Sequence, residues 1–133
     1  MLERALVQSR GFRNIGPTGQ RSGFELLLRL PNYRGMRASL VDGVDVTVDE
    51  VLYPRELNRL VVQGRELSFA QLREAVDLRW TLEEPAVVRV SKPGGLSVGV
   101  HDVTVAVRIR QPYFPIEFQP SVMTETREAT IVL

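Results

Sequence analysis

Between residues 102 and 110 apolar and polar side chains alternate along the chain. Val103, Val105, Val107 and Ile109 share one side, while Thr104, Ala106, Arg108 and Arg110 share the other. A period of two is the signature of a strand buried on one face, and it predicts a strand over 102–110. Val44, Val46 and Val48 alternate with Asp45 and Thr47 in the same way and predict another over 44–48. Apolar runs predict further strands over 23–30, 38–41, 59–63, 86–91 and 129–133, with 2–12 as a candidate to open the sheet. Glu25 and Arg29 interrupt the run 24–30, which predicts one wetter face there. Nineteen valines among 133 residues agree with this reading, because branching at Cβ favours the extended backbone.

Turn residues fall between these runs. Gly64 suits a tight turn into 65–69, Pro93-Gly94-Gly95 breaks two valine-rich runs apart, and Gly99 breaks the chain again. Pro54, Pro85, Pro112, Pro115 and Pro120 mark edges or loops, since proline has no N–H to give a ladder. One window reads as helix. Ser68 followed by Gln71 matches a capping box, and Leu72 and Val76 lie four apart on one face, giving about two turns through Asp77. Short strands with turn signals every ~8–12 residues point to an all-β fold. The expectation is a single-domain antiparallel β-sandwich over 1–133 with one short helix.

Composition narrows the class without changing it. The chain is 44% hydrophobic and 25% charged, as folded globular proteins are. No uncharged run exceeds 93–101, far short of the ~20 apolar residues that cross a membrane. The first ten residues lack the apolar core of a signal peptide, so a soluble cytoplasmic chain is expected. The absence of cysteine excludes disulfides, thiol catalysis and thiolate–metal sites. Net charge is +1, too weak a field to attract nucleic acid or an anionic membrane, and neither is expected as a partner. The charge is uneven, however. Residues 1–37 hold seven arginines against two glutamates. A nucleic-acid arm and a plain preference for arginine over lysine both fit, and the plain preference is favoured. Arginine also suits protein interfaces, because its planar guanidinium is weakly hydrated and forms bidentate pairs.

Catalytic chemistry is hard to place. His101 is the one histidine, no serine sits in a G-x-S-x-G elbow, and a residue entering a strand from a turn reads as structural. Asp42, Asp45 and Asp49 cluster, but Asp45 and Asp49 would lie ~13 Å apart along a strand, too far to share an ion. Glu83 and Glu84 are adjacent and would point to opposite faces of a strand. Gly94-Gly95 lacks the Lys-Ser/Thr and helix of a phosphate loop. No catalytic residue and no metal ligand is therefore assigned. Two loops stand out instead: Leu30-Pro31-Asn32-Tyr33-Arg34-Gly35 and, after Arg110, Gln111-Pro112-Tyr113-Phe114-Pro115. Aromatic side chains held between prolines lose little entropy on binding, which suits interface anchors. Capping the ends of the core is an equal alternative. Trp80 is expected in the core.

The same loops carry a resemblance. The order Gly23-Phe24, Arg29-Leu30-Pro31-Asn32-Tyr33-Arg34-Gly35, Leu78-Arg79-Trp80, Lys92-Pro93-Gly94-Gly95-Leu96, Gly99 with His101, 105–110, and Tyr113-Phe114-Pro115 is similar to the small β subunit of bacterial C-glycoside deglycosidases. The resemblance implies a β-sandwich that assembles with a larger α subunit, a (β/α)₈ barrel holding a divalent metal, usually manganese. That subunit would cleave the carbon–carbon bond of a 3-oxo-C-glycoside, and this chain would carry no cofactor. Pro31, Tyr33, Arg34, Arg110, Tyr113 and Phe114 are then expected at the partner or the rim of its active site, and Pro93, Gly94 and Gly95 in a structural turn. A stand-alone carbohydrate-binding module, with Tyr33, Tyr113 or Trp80 stacking on sugar, and an assembly domain of another complex remain the alternatives.

Overall fold

The computed structural model describes residues 2–32, 34–110, 115, 119 and 121–132. The chain runs through β1 (Arg13–Ile15), β2 (Gly23–Leu28), β3 (Met36–Arg37), a 3₁₀ turn (Ala38–Leu40), β4 (Val41–Val48), β5 (Val51–Tyr53) and a second 3₁₀ turn (Arg55–Leu57). It continues through β6 (Asn58–Val62), β7 (Arg65–Ser68), α1 (Phe69–Glu74), β8 (Arg79–Trp80), β9 (Ala86–Ser91), β10 (Gly99–Ile109) and β11 (Ser121–Ile131). Among the described residues these form a five-stranded sheet in the order β1-β2-β9-β6-β7, a four-stranded sheet in the order β11-β10-β4-β5, and a β3–β8 ribbon. Every pairing is antiparallel.

The valine alternation is what closes the sandwich. Val44, Val46 and Val48 of β4 stand beside Val107, Val105 and Val103 of β10 in register, and all six are buried. Phe24, Leu26 and Leu28 of β2 and Val88 and Val90 of β9 meet them in one apolar cluster. Phe24 packs edge-on against Tyr53 of β5, with ring centroids 5.2 Å apart, so the two sheets touch through aromatic rings. Asn58 ties the same layers with its buried side chain, donating to the carbonyls of Val44 and Tyr53 at 2.9 Å.

Several expectations are corrected. The expected strand over 38–41 is a 3₁₀ turn that leads into β4 at Val41. Ala38 donates to the Leu78 carbonyl at 2.8 Å, so the backbone there turns a corner towards the ribbon. The strand expected over 129–133 is the end of the much longer β11, masked in the sequence by its charged residues. Residues 2–12 form no strand; Val7 bridges Leu28, while Gln8 donates to the Leu27 carbonyl and Leu6 accepts from Arg29. This segment joins the layers, because Glu125 of β11 accepts from the N–H groups of Leu6 and Val7 at 2.8 and 3.0 Å. Glu25 is not on a wet face: its side chain is 6% exposed, with Arg13 and Arg89 at 3.6 and 3.5 Å. The helix stops at Glu74, and Val76 lies beyond it, 52% exposed. Its capping box is present as expected, with Gln71 donating to Ser68 Oγ and accepting from the Ser68 N–H. Gln63-Gly64 makes the expected tight turn with both residues at positive φ, as a two-residue hairpin loop requires.

Candidate functional site

The first of the two conspicuous loops leaves β2 through the buried Leu30 and Pro31. Pro31 and Asn32 line a cleft of about 520 Å³ with Leu6, Arg29 and the stretch Met123–Thr124–Glu125 of β11. Met123 pairs with Val107, close to the end of β10, where the second loop departs. Arg34 is exposed. Tyr33, Tyr113 and Phe114 lie outside the described residues.

Arg110 is held within its own chain. Its N–H donates to the Leu40 carbonyl at 2.8 Å, its guanidinium donates to the Ser39 carbonyl, and its Nε lies 2.9 Å from Asp42 Oδ1. Arg73 of α1 reaches the same carboxylate at 3.3 Å. A bulge creates this geometry. Arg108 faces Gly43 and Ile109 faces Val41, so Asp42 is the extra residue, turned out of the ladder towards the arginines. Asp45 accepts from the Arg55 N–H at 2.7 Å and pairs with the Arg108 guanidinium at 3.5 Å. These aspartates are thus spent on arginines of neighbouring elements. Sequence reasoning placed them as outward polar positions but did not identify their partners.

His101 is 6% exposed and lies edge-on to Phe12. Its Nδ1 is 2.5 Å from Asp49 Oδ2 and its Nε2 is 2.7 Å from the Ser97 carbonyl. Both partners are acceptors, and only the protonated ring can donate to both at once. Burial opposes that charge, but the Ser97 and Asp49 bonds outweigh it and hold the imidazole pKa above its ordinary value. Asp49 is depressed in turn, by the His101 bond first and then by the Asp102 N–H, which it accepts at 2.9 Å. Both ring nitrogens are engaged within the chain, by Asp49 and by Ser97. His101 clamps the β4–β5 turn to β10.

The 93–95 turn is similarly internal. Gly94 and Gly95 have φ of 87° and 67°, and Gly94 donates to the Arg21 carbonyl at 2.9 Å. The Asn14 side chain, which the sequence did not single out, accepts from the Leu96 N–H at 2.8 Å and donates to its carbonyl at 2.9 Å. Trp80 is 1% exposed and donates to the Glu84 carbonyl at 3.0 Å, so it is a core residue and has no free face for a sugar. Among the described residues no three His, Asp or Glu side chains converge to hold a metal ion. No helix among them is long and apolar enough to cross a membrane.

These features define an antiparallel β-sandwich in which Asp42, Asp45, Asp49, His101 and Arg110 pair with one another, with neighbouring arginines and with the chain's own backbone. Known proteins of this pattern give it a family. Residues 2–113 match the family model described as C-glycoside deglycosidase beta subunit. The chain is 31% identical to the C-glycoside deglycosidase beta subunit of Eubacterium cellulosolvens, covering 86% of this chain and 78% of that protein. It is 33% identical to the 3'-dehydrocarminate deglycosidase beta subunit of a Microbacterium species, covering 79% of each. With a C-glycoside deglycosidase beta subunit from Microbacterium trichothecenolyticum it shares 30% identity over 87% of this chain and 84% of the other. The chain belongs to the C-glycoside deglycosidase β-subunit family.

Proposed function

We propose that this chain is the auxiliary subunit of a hetero-oligomeric carbon–carbon lyase that cleaves the C-glycosidic bond of 3-oxo-C-glycosides. Catalysis resides on a larger (β/α)₈-barrel subunit. An oxo group at the 3-position acidifies the neighbouring C2–H; a base on that subunit removes the proton, a C1–C2 double bond forms as the bond from C1 to the aglycone breaks, and the departing aglycone carbon takes up a proton. The divalent metal, manganese by the family resemblance, belongs to the larger subunit in this reading, and the lack of any converging set of three His, Asp or Glu side chains among the described residues supports that placement. The observation that carries the reading is His101: in a family of deglycosidase subunits, the only imidazole of this chain is buried with both ring nitrogens engaged by Asp49 and Ser97.

Pro31, Tyr33, Arg34, Arg110, Tyr113 and Phe114 form the partner-facing end in this reading. The position of Pro31 beside Met123, near the end of β10, supports it. Arg110 contributes by fixing the departure of its loop on Asp42 and Ser39. The test is reconstitution. Aglycone release from a 3-oxo-C-glycoside is expected from the two subunits together and from neither chain alone. Turnover by this chain alone, or full turnover by the larger subunit without it, overturns the proposal.

A further inference from the structure

Strand edges in this fold are short, with one exception. β1 and β5 have three residues each and β7 has four, whereas the edge strand β11 has eleven. Long, open edges invite pairing, and proteins usually protect them with lysine, proline, a bulge or inward-pointing charges. Within Ser121–Ile131 there is neither lysine nor proline, its register with β10 is unbroken over all eleven residues, and its two inward charges, Glu125 and Arg127, are opposite in sign and held by the backbone of residues 6 and 7. The N-terminal segment bonds to β11 through the side chains of Glu125 and Arg127. Among the described residues no backbone–backbone hydrogen bond reaches the free edge of β11.

We infer that this edge pairs with the β11 edge of a second copy of the chain, antiparallel about a two-fold axis at Thr126. Three independent conditions select that register. Full overlap of the strand with its own reverse requires its midpoint, which is residue 126. Continuity of the two sheet faces requires inward residues to meet inward residues, and the odd-numbered positions Glu125, Arg127, Ala129 and Ile131 all share the inward side with Val105, Val103 and His101. Charge then decides among the remaining centres. An axis at Glu125, Arg127 or Glu128 sets like charges opposite each other, which destabilises a ladder. An axis at Thr126 sets Glu125 opposite Arg127 of the second copy, and Arg127 opposite its Glu125. Met123 faces Ala129, Val122 faces Thr130, and Glu128 faces Thr124. The interface is isologous and closed, as a two-fold contact must be. It joins two four-stranded sheets into one of eight, with roughly ten main-chain hydrogen bonds, the number of a specific interface.

This inference is independent of the lyase reading, and either can fail alone. The chain has no cysteine, so a single introduced thiol reports the register. Residues directly opposite in a ladder lie within disulfide reach. In the full chain under mild diamide oxidation, Thr126→Cys is expected to become a covalent dimer, whereas Thr130→Cys, which faces Val122, is not. Light scattering of the unmodified chain is expected to give twice 15.0 kDa. Thr126→Lys, which sets two ammonium groups opposite each other, is expected to weaken the dimer up to about fivefold. A monomer at the highest soluble concentration overturns the inference. So does self-crosslinking at Thr126→Cys no faster than at Thr130→Cys, including the case where the larger subunit covers the edge instead.

Discussion

Single residues in this protein gain their roles from conformation or from a paired charge. Gly94 and Gly95 both sit at positive φ, but a Cβ at Gly95 would meet Asn14 Oδ1 at 2.6 Å, while one at Gly94 meets nothing within 4 Å. Alanine at either position is expected to cost about 1 kcal/mol of stability for the backbone alone. Gly95→Ala should cost more, because it also displaces the Asn14 amide that holds Leu96; chemical denaturation of the two variants measures the difference. His101 and Asp49 give a pH signature. The His101 pKa is raised from 6.5, so its contribution to stability is complete below 6.5 and is lost as pH rises through the folded value. The Asp49 pKa is lowered from 3.8, so its contribution is complete above 3.8 and is lost as pH falls through the folded value. The pair is therefore at full strength between about 4 and 6. Melting temperature is expected to fall from pH 6 towards alkaline pH, and His101→Gln should flatten that slope.

At the scale of elements, short pieces persist because their ends are tied. α1 spans six residues, too few to be stable alone, and a capping box satisfies its first turn. Its buried Leu72 anchors it to the core. Ser68→Ala removes the acceptor for the Gln71 N–H and is expected to lower stability by about 1 kcal/mol, read by urea titration. The β3–β8 ribbon depends in the same way on the buried Met36 and Trp80, which stand opposite each other.

For the whole molecule, Pro31 beyond β2 shares a cleft with Met123, which pairs with Val107 near the end of β10. If Tyr33 and Tyr113 anchor the larger subunit, each alanine variant should weaken association about thirtyfold, as truncating a buried aromatic anchor does at ~2 kcal/mol. The melting temperature of the chain alone should stay unchanged. Calorimetric titration against the larger subunit reads the affinity. Equal affinity for wild type and both variants would move the interface to a sheet face.

What the sequence by itself determined was the part encoded in local period and local chemistry. The alternation in β10 and β4, the Ser68–Gln71 cap and the Gly64 turn were all legible, because each depends on neighbours within a few residues. The family was legible as well, since the order of short motifs survives without knowledge of their contacts. Only the tertiary structure decided where charges find partners. Glu25 reads as a wet position until Arg13 and Arg89, 12 and 64 residues away in sequence, close over it. β11 was hidden because its inward Glu125 and Arg127 break the apolar alternation, and they break it because they bind the backbone of residues 6 and 7. His101 showed no sign of its partner in the sequence, for the carboxylate that holds it lies 52 residues away. Pairing energies between distant groups depend on separations of a few ångströms, and a linear chain specifies those separations only once it has folded.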